Sequence, residues 1–328
     1  MDFELSDEQV ALGEAAQALL AGRAASAQVR AVVDGGTGWD RTLWWAMVDQ
    51  GWPAIAVAER DGGVGLGWIE VSILCEAVGS FVAPAPIVSQ LIALEALGGT
   101  EPGLIDGSLT AAVSADLSRP VPFGPSADVI VALVDGAVVT FEGTHPPSEP
   151  AMDRTRELGW VTAPKVVRSL EISVDRFLDC GAVAYAAELL GSSQKMLDTS
   201  VSYAKDRVQF DRPIGSFQAV KHRLADMLVD VEAMRSIVWW AAWCLSADDD
   251  ESSVAASSAK AWCVDASKRV MSSALQVHGG IGFTWDSDVH LYLKRTQLSQ
   301  IEFGDAVFHR IRVAGELRRR IEAGVSVI

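Results

Sequence analysis

Basic residues are scarce in this chain. Lysine and arginine number 27 against 43 aspartates and glutamates, a formal net charge of −16 over 328 residues. Binding a phosphate backbone needs a basic stripe, so nucleic acid is excluded as a partner, and docking on anionic lipid with it. Long apolar runs are missing too, and no stretch approaches the roughly 20 residues of a membrane span. The opening "MDFELSDEQVALGEAAQALL" is acidic and lacks a basic n-region, so it does not read as a signal peptide. Cysteine is limited to Cys75, Cys180, Cys244 and Cys263, scattered through apolar, helix-like surroundings. They show neither metal-ligand spacing nor short-range pairing, so they are expected to be reduced core thiols in a cytoplasmic protein. A di-iron carboxylate bundle needs a Glu-x-x-His pair on each of two helices, whereas the sequence has one, Glu142 with His145, in a β-branched, proline-rich stretch, so no metal site is expected.

What is present falls into three textures. Residues 1–106 read as helices with loop punctuation. Ser6 is a plausible N-cap, and Val10, Leu12, Ala16, Leu19 and Leu20 follow near helical spacing. "ERDGGVGLGW" (59–68) is a glycine-rich turn without the Lys-Ser/Thr ending of a phosphate loop. Residues 107–176 change to short β-branched runs, with "VDGAVV" as a hairpin signal, interrupted by "RPVPFGP" and "THPPSEP". Residues 177–328 are helical again. Phe217, Val220, Leu224, Met227, Leu228, Val231, Met234 and Val238 form one apolar stripe. Turns at "DRPIG", "SADDDESS" and "HGGIG" then divide an antiparallel bundle. The order is mainly α with a small β middle unit. The tryptophans of "WW" (44–45) and "VWWAAW" (238–243) belong to core or subunit interface.

Two stretches stand out chemically. In "YAKDRVQFDRPIGSFQAVKHRLADM", a helix bearing Tyr203, Asp206 and Arg207 is expected to end near Phe210. It turns at Pro213-Ile214-Gly215 and restarts with Gln218. A guanidinium beside an aromatic suits a pyrophosphate and a ring, and a helix N-terminus adds donors for the same anion. A capped helical hairpin with surface charges fits the spacing equally. In "SALQVHGGIGFTWDSDVHLYLKR", Gln276 closes a helix before Gly279, Gly280 and Gly282, where bare backbone admits a flat ligand. The first two glycines also suit a helix C-cap.

Together, "RVQF…PIGSFQAVKHRLADM" and "QVHGGIGF" resemble the two flavin-adenine-dinucleotide segments of the acyl-CoA dehydrogenase family. "DFELSDEQ" and "AVAERDGGVGLG" are similar to its N-terminal stretches. The resemblance implies a helical N-terminal domain, a β-barrel-like middle domain and a C-terminal four-helix bundle. It implies FAD as cofactor, with Arg207, Phe210, Gln218, Gln276 and the backbone of Val277, His278, Gly279 and Gly280 along its adenosine half. The flavin's reactive ring would sit in the neighbouring subunit.

The same resemblance exposes losses. The family removes an α-proton with a carboxylate. Aligning Gln300-Ile301 and Gly304 puts Phe303 at that position and Glu302 one residue early. In a regular helix that offset turns a side chain by about 100°, away from the flavin. The alternative base position falls on Gly181, with Ala182 where an arginine belongs; Asp179 is nearby but faces another way. The Thr-Glu-Pro-x-Ala-Gly-Ser-Asp-like segment of the middle domain that holds the flavin ring in the family has no counterpart, and Asp305 and Val307 replace flavin-bonding residues. No residue of this chain is therefore assigned as catalytic. The resemblance implies the non-catalytic subunit of an α2β2 dehydrogenase of the kind found in bacterial sterol and bile-acid catabolism. A homologous chain would be its partner and an acyl-CoA its substrate. A homotetramer using Glu302 as base, and a flavin-free acyl-CoA-binding scaffold, are the alternatives.

Overall fold

Residues 4–142, 145–162 and 165–324 are described by a computed structural model. The first helices are α1 (Asp7–Arg23), α2 (Ser26–Gly35), α3 (Arg41–Asp49), α4 (Trp68–Ser80), α5 (Ile87–Ala96) and α6 (Pro102–Ile105). Ser6 caps α1 as the sequence predicts. The Gln9 amide donates to the Ser6 hydroxyl at 3.2 Å, and the Gln9 side chain accepts from the Ser6 amide at 2.9 Å.

The middle unit holds β1 (Ala111–Ser114), β2 (Val121–Pro122), β3 (Val129–Val134), β4 (Ala137–Glu142), β5 (Leu158–Gly159) and β6 (Val166–Ser169). Four of these form a mixed sheet in the order β1-β3-β4-β6, while β2 and β5 pair separately. The β3–β4 hairpin turns on Asp135 (φ 48°) and Gly136 (φ 79°), the double positive φ of a type I′ turn. Ala112, Ile130, Ala132, Val139 and Phe141 bury one face of the sheet.

The long helix α7 (Val174–Asp206) opens three residues before 177, where the sequence texture changes; its 33 residues span roughly 50 Å. It is followed by the strand pair β7 (Val208–Gln209) and β8 (Arg212–Pro213), then α8 (Gln218–Ser246), α9 (Ser252–His278), α10 (Val289–Ser299) and α11 (Ala306–Glu322). One expectation is corrected here. The helix does not run on to Phe210; it stops at Asp206 and a β-hairpin intervenes. Phe210 (φ 54°) and Asp211 (φ 59°) form the hairpin's left-handed turn, a conformation rare for a large side chain. Within the predicted α8 stripe, Met227, Val231, Met234 and Val238 are buried, whereas Leu228 lies on the exposed side. All four cysteines are free and buried, and Trp44 is core, its indole N–H donating to the Gly107 carbonyl at 3.0 Å.

Helix α4 meets α7 through glycine. A Cβ on Gly79 would lie 2.0 Å from the Glu188 carbonyl oxygen, and one on Gly191 would lie 1.8 Å from that of Glu76. Close approach lets Ser192 donate to the Gly79 carbonyl (2.9 Å) and Ser80 to that of Gly191 (3.2 Å). Beside this crossing, Glu188 is held by Arg156 and Arg295, with Ser299 donating to it at 3.1 Å. Arg295 also donates to Thr155 Oγ1 (2.7 Å) and the Ala83 carbonyl (2.9 Å), so one buried cluster ties the first helices, the middle segment and the bundle. Two guanidiniums hold the Glu188 carboxyl down to about 2, although its burial works the other way.

Candidate functional site

The two chemically distinctive stretches meet at one end of the bundle. Tyr203, near the end of α7, stacks on His278 at the end of α9, with ring centroids 4.5 Å apart. The β7–β8 hairpin and the start of α8 close against them. Gly215 has room for no side chain, since a Cβ would lie 2.9 Å from the Ala204 carbonyl. The tip residue Phe210 is 85% exposed and its ring lies 6.0 Å from Phe217, which Arg212 overlies at 4.1 Å.

Arg207, Gln218 and Gln276 are exposed, and among the described residues their side chains have no hydrogen-bond or ion-pair partner. Arg207 serves the fold through its backbone, its N–H donating to the Tyr203 carbonyl at 2.9 Å and its carbonyl accepting from the Ile214 N–H at 2.8 Å. No side chain caps the N-terminus of α8, which leaves backbone donors pointing outward. Gly279 and Gly280 border open space, for a Cβ on either would meet nothing within 4 Å. Val277 and His278 are buried, so only their backbone is available. The His278 Nδ1–H donates to the Ala274 carbonyl at 2.8 Å, a backbone-capping role. A free guanidinium, two free amides, uncapped helix N–H groups and an open glycine floor form a donor set that fits a pyrophosphate and its flanking adenosine.

A second locus lies between the middle sheet and the bundle. A cavity of about 450 Å³ is lined by Asp116, Arg119, Leu133, Leu178, the segment Ile301–Asp305 and Phe308. It brings Glu302, Phe303 and Asp305 together but not Asp179. That carboxylate is tied to Arg312 and accepts from Ser253 at 2.7 Å. Phe303 is buried with φ 54°, its ring centroid 5.1 Å from that of Phe177 and 5.8 Å from that of Tyr185. A Cβ on Gly181 would lie 1.9 Å from the Phe303 ring. The aromatic thus fills the space over Gly181, so the two positions at which the resemblance implies a base form one packed contact. His309 secures the arrangement, its Nε2–H donating to the Phe303 carbonyl at 2.9 Å. Burial pushes this imidazole down to about 3, so it stays neutral.

Glu302 departs from a simple surface carboxylate. The left-handed turn at Phe303 breaks the regular rotation, and Glu302 lines the same cavity while only 7% exposed. Burial raises its carboxyl to about 7, against the opposing pull of Arg156, Lys260 and Arg119. Lys260 was not singled out from the sequence. It is buried on α9 and its Nζ donates to the carbonyls of Ser299 (2.8 Å) and Gln300 (3.2 Å), while burial lowers it to about 7. Its signal was legible as a lone lysine at helical spacing among Ala256, Ala259, Cys263 and Val264. Asp305 accepts from the Phe308 amide at 2.9 Å as the N-cap of α11, which lowers its carboxyl.

Comparison with known proteins matches residues 6–101 to the acyl-CoA dehydrogenase N-terminal domain and residues 172–317 to the acyl-CoA dehydrogenase C-terminal domain. The chain is 36% identical to the acyl-CoA dehydrogenase IpdE2 of Mycolicibacterium smegmatis, covering 89% of this chain and 93% of that protein. It is 32% identical to its namesake from Mycobacterium tuberculosis, covering 88% and 91%. Among solved structures, a chain of the ChsE4-ChsE5 complex from Mycobacterium tuberculosis superposes with a TM-score of 0.87 at 25% identity, over 97% of this chain and 99% of that one. A chain of the Tcur3481-Tcur3483 steroid ACAD gives 0.87 at 26% identity, over 96% and 99%.

Proposed function

We propose that this chain, which belongs to the acyl-CoA dehydrogenase family, is the non-catalytic subunit of a heteromeric, FAD-dependent acyl-CoA dehydrogenase. Bound FAD supplies the hydride acceptor for α,β-dehydrogenation of an acyl-CoA thioester. This chain's part is to hold the nucleotide end. Arg207 forks onto the pyrophosphate, while the Gln218 and Gln276 amides and the backbone from Val277 to Gly280 line the adenosine half. Phe210 offers a ring face beside them. The base belongs to a homologous partner chain in an α2β2 assembly, an arrangement supported by the likeness to a chain of a two-protein complex. A steroid-derived acyl group is the first substrate class to test, because another similar structure is that of a steroid ACAD. The buried free thiols suit a reducing compartment, and we assign the chain to the cytoplasm.

The observation that carries this reading is the Phe303 ring packed on Gly181, which leaves no carboxylate at either base position. Asp305 and Asp116 add negative charge to the same cavity, which would disfavour a reduced flavin there. The burial of Glu302 favours a second reading, in which the chain is self-sufficient and Glu302 takes the α-proton. Expression alone and with a homologous chain separates the two. Yellow colour and thioester desaturation are expected only in the co-expressed complex. A yellow, active preparation of this chain alone would establish the second reading instead.

A further inference from the structure

The cavity beneath Glu302 is lined by none of the residues proposed to hold the nucleotide, and its charge pattern does not suit a nucleotide-bearing thioester. Three carboxylates line it, from Asp116, Glu302 and Asp305, against the single cation Arg119. Arg119 is already committed, pairing with Asp116 at 3.3 Å and donating to the Ile301 carbonyl at 3.0 Å. Asp305 is fixed at the start of α11. Glu302 is different. Among the described residues no donor reaches its carboxylate, although the side chain is more than nine-tenths buried. The cations behind it are spoken for: Lys260 donates to the carbonyls of Ser299 and Gln300, and Arg156 to Glu188. The Glu302 carboxyl opens onto the cavity and is ionised there above about pH 7, where a cavity ligand that brings a donor and a positive charge favours the ionised form.

We propose that this cavity binds a small organic cation, a primary amine on an apolar body, with its ammonium donating to the Glu302 carboxylate. The body packs on Leu133, Leu178, Phe303 and Phe308, which form the apolar wall. A volume of about 450 Å³ lies in the usual range for small-ligand sites and accepts a body of roughly six to ten non-hydrogen atoms. An anion would face the carboxylates of Asp116 and Asp305, and above about pH 7 that of Glu302 as well. A neutral alcohol could donate one hydrogen bond but would leave the charge uncompensated. A quaternary ammonium would compensate the charge and donate nothing. An ammonium that keeps an N–H meets both needs, and a primary one, with three donors, meets them best.

Calorimetric titration of the full chain, with its partner chain where the two copurify, tests this with three matched probes: 2-phenylethylammonium, 2-phenylethanol and 3-phenylpropanoate. Saturable binding of the amine is expected with a Kd on the order of 0.1 mM. The alcohol and the acid are expected to bind at least about tenfold more weakly. Glu302→Gln keeps the side chain's shape and should weaken the amine by about tenfold or more. Leu178→Trp fills the cavity from its apolar wall and should abolish binding. The proposal is overturned if the native chain shows no saturable amine binding, if the acid binds as well as the amine, or if neither substitution matters. Should either variant fail to fold, the comparison of probes on the native chain decides alone. Activity is not the readout, so failure here leaves the flavin reading where it stands.

Discussion

Glu302 and Lys260 face the same buried region, and burial moves their carboxyl and ammonium toward each other until both titrate near 7. The stability consequences have opposite signs. Between 4.5 and about 7 the folded Glu302 keeps a proton that the unfolded chain releases, so stability falls as pH rises through that window. Between about 7 and 10.5 the unfolded chain keeps a proton that the folded Lys260 has released, so stability recovers as pH rises further. A shallow minimum near neutrality is therefore expected in the urea midpoint. Glu302→Gln should remove the acid-side limb, worth on the order of 3 kcal/mol at most, and Lys260→Met the alkaline limb. Because the two groups interact, each variant is also expected to shift the titration of the residue that remains. A midpoint that rises steadily through neutral pH in the native chain would contradict this pairing.

At the scale of elements, glycine decides where helices meet. Alanine in place of a helical glycine ordinarily stabilises by up to about 1 kcal/mol. Gly315 on α11 has nothing within 4 Å of a new Cβ and should behave that way. Gly191 should do the opposite, because its Cβ would strike the Glu76 carbonyl oxygen at 1.8 Å and that backbone belongs to a packed helix. Gly191→Ala is expected to cost about 2–3 kcal/mol by forcing α4 from α7, and chemical denaturation of the two variants side by side checks the contrast in sign. The sequence held part of this level openly. The Ser6 cap and the Asp135-Gly136 turn were readable because each uses the residue type its geometry favours. The hairpin at 208–213 was not, since Phe210 and Asp211 adopt positive φ where sequence rules look for glycine or asparagine. Phe303 hides for the same reason. A left-handed aromatic leaves no mark in the sequence beyond the glycine that follows it, so the burial of Glu302 was illegible while the lack of a carboxylate at 303 and 181 was plain.

For the whole molecule, the surface proposed to hold the nucleotide end and the packed interior make separate demands. The interior is held by charge as well as by apolar contact, since Glu188, Arg156 and Arg295 join elements far apart in the chain. Arg207 stands outside that system, exposed, with no side-chain partner among the described residues. Keeping a guanidinium at the surface with nothing to bind makes sense if its partner is not part of this chain. Arg207→Ala should therefore leave the unfolding midpoint of the flavin-free complex unchanged within about 0.5 kcal/mol, as for other surface positions. The same change should weaken FAD by about 1.5–3 kcal/mol, the worth of a hydrogen bond to a charged group, or roughly ten- to a hundredfold in Kd. Flavin release on dilution, followed by fluorescence, measures the second quantity, and native mass spectrometry should count fewer flavins than chains. If FAD is retained as tightly by the variant as by the native complex, this surface does not grip the pyrophosphate, and the end of the bundle must serve something else.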